Sequence, residues 1–258
     1  MAKKVAEQLV DTLIEAGVRR IYAVTGDSLN EVNEAVRQNE AMKWIHVRHE
    51  ETGAYAAGAE AQLTGLPGCC AGSSGPGHVH LINGLYDAHR SGAPVIAIAS
   101  TIPTGEFGTE YFQETNTVKL FNDCSFYNEV ATTPEQFPRM LQSALQTATT
   151  RKGVAVVGLP GDLAKKPAVK VESSEQIYPL ASSVCPAEED LIRLAGMLNH
   201  YERITLFCGI GCKGAHEEII RMSETLNAPV AYTFKGKMEV QYDNPYEVGM
   251  TGLLGMTS

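Results

Sequence analysis

Arg48, His49, Glu50 and Glu51 form the densest run of reactive side chains in the sequence. They follow a short apolar run, Trp44-Ile45-His46-Val47, that reads as a buried strand. An alanine-rich stretch continues behind them to Gln62 and Leu63 and reads as a helix. Two acids in the first turn of a helix meet the positive end of its dipole, and that alone accounts for both. Their position gives a second account. A carboxylate just past the C-terminal end of a parallel strand sits where open α/β sheets bind ligands. The small residues behind it allow another group to approach the helix closely.

Other groups with chemical potential are spread along the chain. Gly75-Pro76-Gly77 reads as a strand-to-helix turn, with Ser74 before it and Asn83 on the helix after it. Phe112 and Gln113 read equally well as a core aromatic and a surface amide. His78, His80 and His89 have spacings that suggest a metal, but no carboxylate or cysteine spacing completes a site, so no metal is expected from them. Gly209, Gly211 and Gly214 follow a strand-like run and match the dinucleotide fingerprint. A ribose-binding acid is expected about twenty residues further on if the nucleotide is NAD. The segment 227–233, Asn-Ala-Pro-Val-Ala-Tyr-Thr, has none.

The elements that must hold these residues alternate. A helix through Val5, Leu9 and Leu13 precedes a strand from Arg20 to Val24, where Gly26 permits a tight turn and Asp27 or Ser28 can cap the next helix. The second strand ends at Val47. A third covers 69–71, with its helix from about 77 to 89. Ala93 to Ala99 is the kind of run buried on both faces of a sheet. The segment 100–110 reads as a loop. A strand within 125–130, a helix over 134–149 and a strand over 154–157 complete the pattern. Strands alternating with helices predict a doubly wound parallel α/β sheet over residues 1–160. Residues 161–186, rich in proline, serine and charge, read as a linker. From 187 to 258 a second, incomplete Rossmann-like α/β unit is expected, with a helix over 191–198, strands at 204–208 and 229–232, and a glycine-rich turn region at the end.

Composition narrows the function classes. The formal net charge is -9 and the pI about 5.3, which argues against nucleic acid, whose recognition needs a basic patch. Anionic small ligands remain compatible, since backbone N–H groups can hold them. The six cysteines include no C-x-x-C pair, so a zinc ribbon is not indicated, and free thiols suggest a reducing cytosol. No signal-like core opens the chain, and no apolar run approaches the roughly 20 residues a spanning helix needs.

Arg48-His49-Glu50, then Gly72-Ser73-Ser74-Gly75-Pro76-Gly77, then Phe112-Gln113-Glu114, in that order, resemble the pyrimidine-binding domain of thiamine diphosphate enzymes. The tract Gly26-Asp27-Ser28-Leu29-Asn30 looks like the pyruvate oxidase branch, especially the bacterial quinone-dependent pyruvate dehydrogenases. The resemblance runs along essentially the whole chain. It implies that Glu50, and not Glu51, engages the pyrimidine nitrogen N1′, so that the cofactor's own aminopyrimidine takes the C2 proton. It implies that Gly26, Ser74, Gly75, Pro76 and Asn83 line the cofactor, and that Phe112 and Gln113 lie near the reacting carbon. It also implies an FAD site in the second unit, built from Gly209, Gly211, Gly214, Lys235, Gly236, Thr251, Gly252, Leu253 and Leu254.

The reaction so implied is oxidative decarboxylation of pyruvate or a related 2-oxo acid, with electrons passing to FAD and then to a quinone or oxygen. The family anchors the diphosphate through Mg²⁺ held by a Gly-Asp-Gly motif. Here Gly26-Asp27 and Gly161-Asp162 are not followed by glycine, so the Mg²⁺ site is expected outside this chain and the chain alone is expected to be inactive. The resemblance further implies self-association, as a dimer or tetramer, through the face bearing Glu50, Gly75 and Gln113. It implies a cytoplasmic protein, peripheral to the inner membrane face in its quinone-dependent form. Acetolactate synthase shares these motifs and the flavin and is the alternative. A catalytically silent binding or assembly module and an NAD dehydrogenase are the other readings.

Overall fold

A computed structural model describes residues 2–169, 184–253 and 255. The chain forms two compact units, residues 1–182 and 183–258. Leu254, among the expected flavin residues, and positions 170–183 of the predicted linker lie outside the described residues.

The first unit alternates helices and strands: α1 (Val5–Glu15), β1 (Arg20–Ala23), α2 (Asn30–Arg37), β2 (Lys43–His46), α3 (Glu50–Thr64), β3 (Gly68–Gly72), α4 (Pro76–Arg90), β4 (Val95–Thr101), α5 (Thr117–Leu120), β5 (Tyr127–Val130), α6 (Phe137–Arg151), β6 (Val154–Pro160) and α7 (Gly161–Ala164). The six strands form one parallel sheet in the order β2-β1-β3-β4-β6-β5. This is the doubly wound α/β fold expected from the alternation.

Strand side chains point to opposite faces with period two, and the sequence fills both faces. Ile96 and Ile98 of β4 and Ala155, Val157 and Leu159 of β6 join the core under α1, α2, α6 and α7. Val95, Ala97 and Ala99, with Val154 and Val156, join the core under α3 and α4. Cys69 and Cys70 are consecutive and so split between the two cores. Both are fully buried, and burial pushes the Cys70 thiol up to about 12, as expected of inert core cysteines.

Several expectations need correction. β2 was expected to be buried, but it pairs only with β1 and forms the sheet edge, and Trp44 and Ile45 are only partly covered. The predicted loop at 100 starts later: β4 runs on to Thr101, because Ser100 and Thr101 continue the ladder against Leu159 and Pro160. The predicted linker does not start at 161. Leu163 and Ala164 of α7 are apolar and fully buried in the first unit's core, Pro167 bridges Lys4, and the Ala168 amide donates to the Lys3 carbonyl.

The second unit contains α8 (Glu188–His200), β7 (Leu206–Cys208), α9 (His216–Leu226), β8 (Val230–Tyr232), α10 (Lys237–Val240) and β9 (Glu247–Met250). Its three strands are parallel, in the order β7-β8-β9. β9 was not among the expected strands. Its ladder slips by one residue opposite Val230/Ala231, and Gly249 takes φ 115°, an irregularity that hides the alternation. No helix of the described residues is long and apolar enough to cross a membrane.

Candidate active site

The strand order reverses at β1 and β3, so the crevice outside their C-terminal ends is where a doubly wound sheet presents a ligand site. Two loops lean on each other there. A Cβ on Gly26 would lie 2.5 Å from Cβ of Ser73, so only glycine fits after β1. The Ser74 amide donates to Ser28 Oγ at 3.1 Å. Gly75 has φ 72° and caps α4 at its N-terminus, and Pro76 takes the first helical position, where its missing N–H costs nothing.

Glu50 reaches this crevice because α3 and α4 approach each other very closely. Their contact is made of small residues. A Cβ on Gly84 would lie 2.6 Å from Ala54 Cβ and 2.7 Å from the Glu51 carbonyl, and one on Gly58 would lie 3.1 Å from Ala88 Cβ. The close approach allowed by small residues is therefore taken up first by α4. It brings the Glu50 carboxylate beside the first turn of α4, with Oε1 3.3 Å from where a Gly77 Cβ would stand.

Glu50 is buried, only 7% exposed. His80 Nδ1 donates to its Oε2 at 2.9 Å, and the His80 ring stacks on His49 with centroids 4.3 Å apart. His49 caps α3 by accepting the Glu51 amide on Nδ1 at 3.3 Å. Among the described residues Oε1 of Glu50 accepts no hydrogen bond. A buried carboxylate with one oxygen fixed and the other presented against a bare glycine suits a ring nitrogen that shares a proton. Glu51 has a different partner: Asn83 donates to it from the exposed side of α4. Asn83 thus lies against Glu51, and the structure does not bring it to Glu50.

Gln113 is brought to the same turn from the other side. A Cβ on Gly75 would sit 2.8 Å from Gln113 Cβ, so the backbones of 75 and 113 are in close contact. Gln113 is exposed and Phe112 is 79% exposed. Glu50 and Gln113 therefore flank residues 75–77 from two directions. Below Gln113 lies a cavity of about 390 Å³, lined among others by Ser74, His78, Thr101, Thr115, Thr117 and Thr132.

His80 was weighed in the sequence only as a metal ligand, and its pairing with Glu50 was missed. The missed signal was helical spacing: 77, 80, 81, 84 and 88 share one face, the face that carries Gly77 and Gly84. The three histidines diverge. His78 turns to Ser100 and Thr115, His80 to Glu50, and His89 to the Phe126 ring. Among the described residues, the grouping that could hold a cation is His49, Glu50 and His80, whose ligand atoms lie within 4.8 Å of one another. His49 was not considered as a ligand in the sequence reading, and two of the three groups are already hydrogen-bonded to each other.

In the second unit, the expected flavin residues collect at the C-terminal ends of the three strands. Gly209 follows β7, Lys235 and Gly236 follow β8, and Thr251 to Leu253 follow β9. The Thr233 amide donates to the Cys208 carbonyl and the Thr251 amide to the Tyr232 carbonyl, tying these ends together. Gly236 is required by packing, since a Cβ would lie 2.5 Å from the Cys208 carbonyl oxygen, and its N–H is already bonded to Thr233. Gly211 and Gly214 have nothing within 4 Å of an added Cβ, so their backbones are open to approach. The glycine fingerprint does not open a helix directly: a short 3₁₀ turn at 210–212 intervenes, and α9 starts only at His216.

With this geometry in view, the comparisons decide the family. The N-terminal thiamine pyrophosphate-binding domain of thiamine pyrophosphate enzymes matches residues 3–120, and their central domain matches residues 191–258. The chain belongs to the thiamine pyrophosphate enzymes. A putative thiamine pyrophosphate-containing protein of Bacillus subtilis is 38% identical over 258 residues, covering 99% of this chain and 45% of its own length. Pyruvate oxidase of Lactiplantibacillus plantarum is 36% identical over 224 residues, 86% of this chain and 37% of its own. The chloroplastic acetolactate synthase of Arabidopsis thaliana is 29% identical over 259 residues, 98% of this chain and 38% of its own. The chain thus spans less than half the length of these three thiamine enzyme relatives.

Proposed function

We propose that this chain supplies the pyrimidine-binding and part of the flavin-binding machinery of an enzyme that oxidatively decarboxylates pyruvate or a related 2-oxo acid. The observation that carries the reading is the Glu50 carboxylate: buried at the head of α3, fixed through Oε2 by His80, and open through Oε1 beside Gly77. Thiamine diphosphate, when bound, supplies the electron sink that makes decarboxylation possible. Glu50 would hold the proton shared with the pyrimidine nitrogen, and the loops at Gly26 and Ser74-Gly75 would support the ring. Gln113, beside Gly75, would face the substrate. The strand ends of the second unit would hold FAD, with Gly211 and Gly214 leaving the backbone free to meet it.

The oxidase branch is supported by Asp27-Ser28-Leu29-Asn30 and by Asp123-Cys124-Ser125-Phe126-Tyr127, which resemble oxidases. Acetolactate synthase is the second reading, favoured by a match over almost the whole chain. Self-association would complete the site, and Mg²⁺ would enter with the diphosphate-binding portion. The test uses a form of the protein that carries that portion, given thiamine diphosphate, Mg²⁺, FAD, a quinone and pyruvate. The oxidase reading expects carbon dioxide, acetate and reduction of the quinone, and bleaching of the flavin absorbance by pyruvate when the quinone is left out. Acetolactate with the flavin still oxidised moves the assignment to the synthase. No carbon dioxide from a form that binds both cofactors would overturn the enzymatic reading. The 258-residue chain alone is expected to show no turnover.

A further inference from the structure

The loop that carries Phe112 and Gln113 is exposed along 107–113, yet its backbone is held in a costly shape. Glu110 and Gln113 are non-glycine residues at φ 59° and φ 64°. Such conformations persist only where the surroundings fix them. Three side-chain anchors do so here. At the start, Asp162 accepts from the Thr104 amide at 3.0 Å and from its hydroxyl at 2.8 Å. In the middle, Glu114 accepts the Gly108 amide at 2.6 Å. At the end, the Thr115 hydroxyl meets His78 Nδ1 at 2.7 Å.

His78 is the only one of these anchors that is fully buried, and its protonation can be deduced from its partners. Nε2 lies 2.8 Å from the Ser100 carbonyl, which can only accept, so Nε2 carries the hydrogen. Burial holds the imidazole down to about 4, so the ring is neutral and Nδ1 must accept from the Thr115 hydroxyl. Ser100 is itself tied by its hydroxyl to the carbonyls of Ser28 and Leu159. The anchor is therefore rigid back to the sheet.

We propose that His78 is a positioning residue: through Thr115 it latches the 104–116 loop over the first turn of α4 and so holds Gln113 against Gly75. The significance for the reaction rests on the reading of Gln113 given above; the latch itself does not. An asparagine at 78 can accept from Thr115 where Nδ1 did, whereas a glutamine reaches the Ser100 carbonyl but leaves Thr115 without an acceptor.

Limited chymotrypsin digestion of the chain reads the latch, because Tyr111 and Phe112 are exposed in the loop. H78Q and T115V should raise the cleavage rate there about tenfold, the effect of losing one hydrogen bond that closes a local opening, while H78N and T115S stay near the parent rate. Nitrogen NMR of the unsubstituted chain should find His78 neutral with its hydrogen on Nε2. Equal cleavage in T115V and T115S, or a hydrogen on Nδ1, would overturn the latch without requiring any variant of His78 to fold. In a form carrying the diphosphate-binding portion, T115V but not T115S should raise the KM for pyruvate. If cleavage rises in T115V but its kinetics with pyruvate are unchanged, the latch stands and the substrate role of Gln113 fails.

Discussion

The two units carry parallel sheets of the same kind, yet only the first encloses its sheet. The three inner strands β3, β4 and β6 are covered on both faces by two cores and have no exposed residue. In the second unit the buried core comprises Cys208, Ile219, Val230, Tyr232 and Val240, and α8 buries none of its residues, with Leu191, Ile192, Leu194 and Met197 exposed. The glycines follow the same division. At the candidate sites, Gly26, Gly77 and Gly84 of the first unit are pressed against other protein atoms, whereas in the second Gly236 is packed but Gly211 and Gly214 are open. A site built on packed glycines holds its side chains in place before any ligand arrives, while one built on open glycines depends on the ligand to complete it.

This contrast can be broken by substitution. Gly84→Val drives a side chain into Ala54 and the Glu51 carbonyl and should destabilise the first unit by about 3 kcal/mol, measured by urea unfolding. Gly84→Ala should cost less, because a methyl group is the smallest intrusion. A cost near zero for the valine would mean that α3 and α4 are not as close as described.

Acid sharpens the contrast next. His78 has a folded value of about 4 against an ordinary 6.5, because burial disfavours its charged form more than the Ser100 carbonyl favours it. The unfolded chain therefore takes this proton first. The contribution is complete above pH 6.5 and is lost as the pH falls towards 4. Between about pH 7 and about pH 5 the loss should be about 2 kcal/mol, and H78N should lack that part of the slope. Parallel pH profiles for the parent and H78N would contradict it.

Smaller effects complete the series. Ser100→Ala removes the hydroxyl bonded to the Ser28 and Leu159 carbonyls and should cost about 1 kcal/mol in the same unfolding assay. Gly211→Ala, with open space around it, should change stability by less than about 0.5 kcal/mol. A large loss there would show that Gly211 is packed as tightly as the glycines of the first unit's site.

What was legible in the sequence was whatever local chemistry determines. Pro76 after Gly75 marked the start of α4, the acids at 50 and 51 marked the start of α3, and the apolar run before Ser100 marked a doubly buried strand. What depends on distant partners was not legible. Trp44-Ile45-His46-Val47 looks like an interior strand, but its exposure is set by having a single neighbour, β1. Leu163 and Ala164 look like linker residues until α1 and α2 lie over them. At the site, the type and position of Glu50 were readable, but its partner His80 was not, since that pairing needs the α3–α4 crossing. The bond from Asn83 to Glu51 was not readable either, since it needs the same α3–α4 crossing.

The central claim is that Glu50, and not its neighbour, presents the proton-sharing carboxylate. The most direct test is hydrogen–deuterium exchange at C2 of thiamine diphosphate, bound to a form of the protein that carries the diphosphate-binding portion. Glu50→Gln should keep the fold and the bound cofactor but slow exchange by about 10²–10⁴-fold, while Glu51→Gln stays close to the parent rate. Unchanged exchange in Glu50→Gln, or an equal loss in Glu51→Gln, would contradict the account.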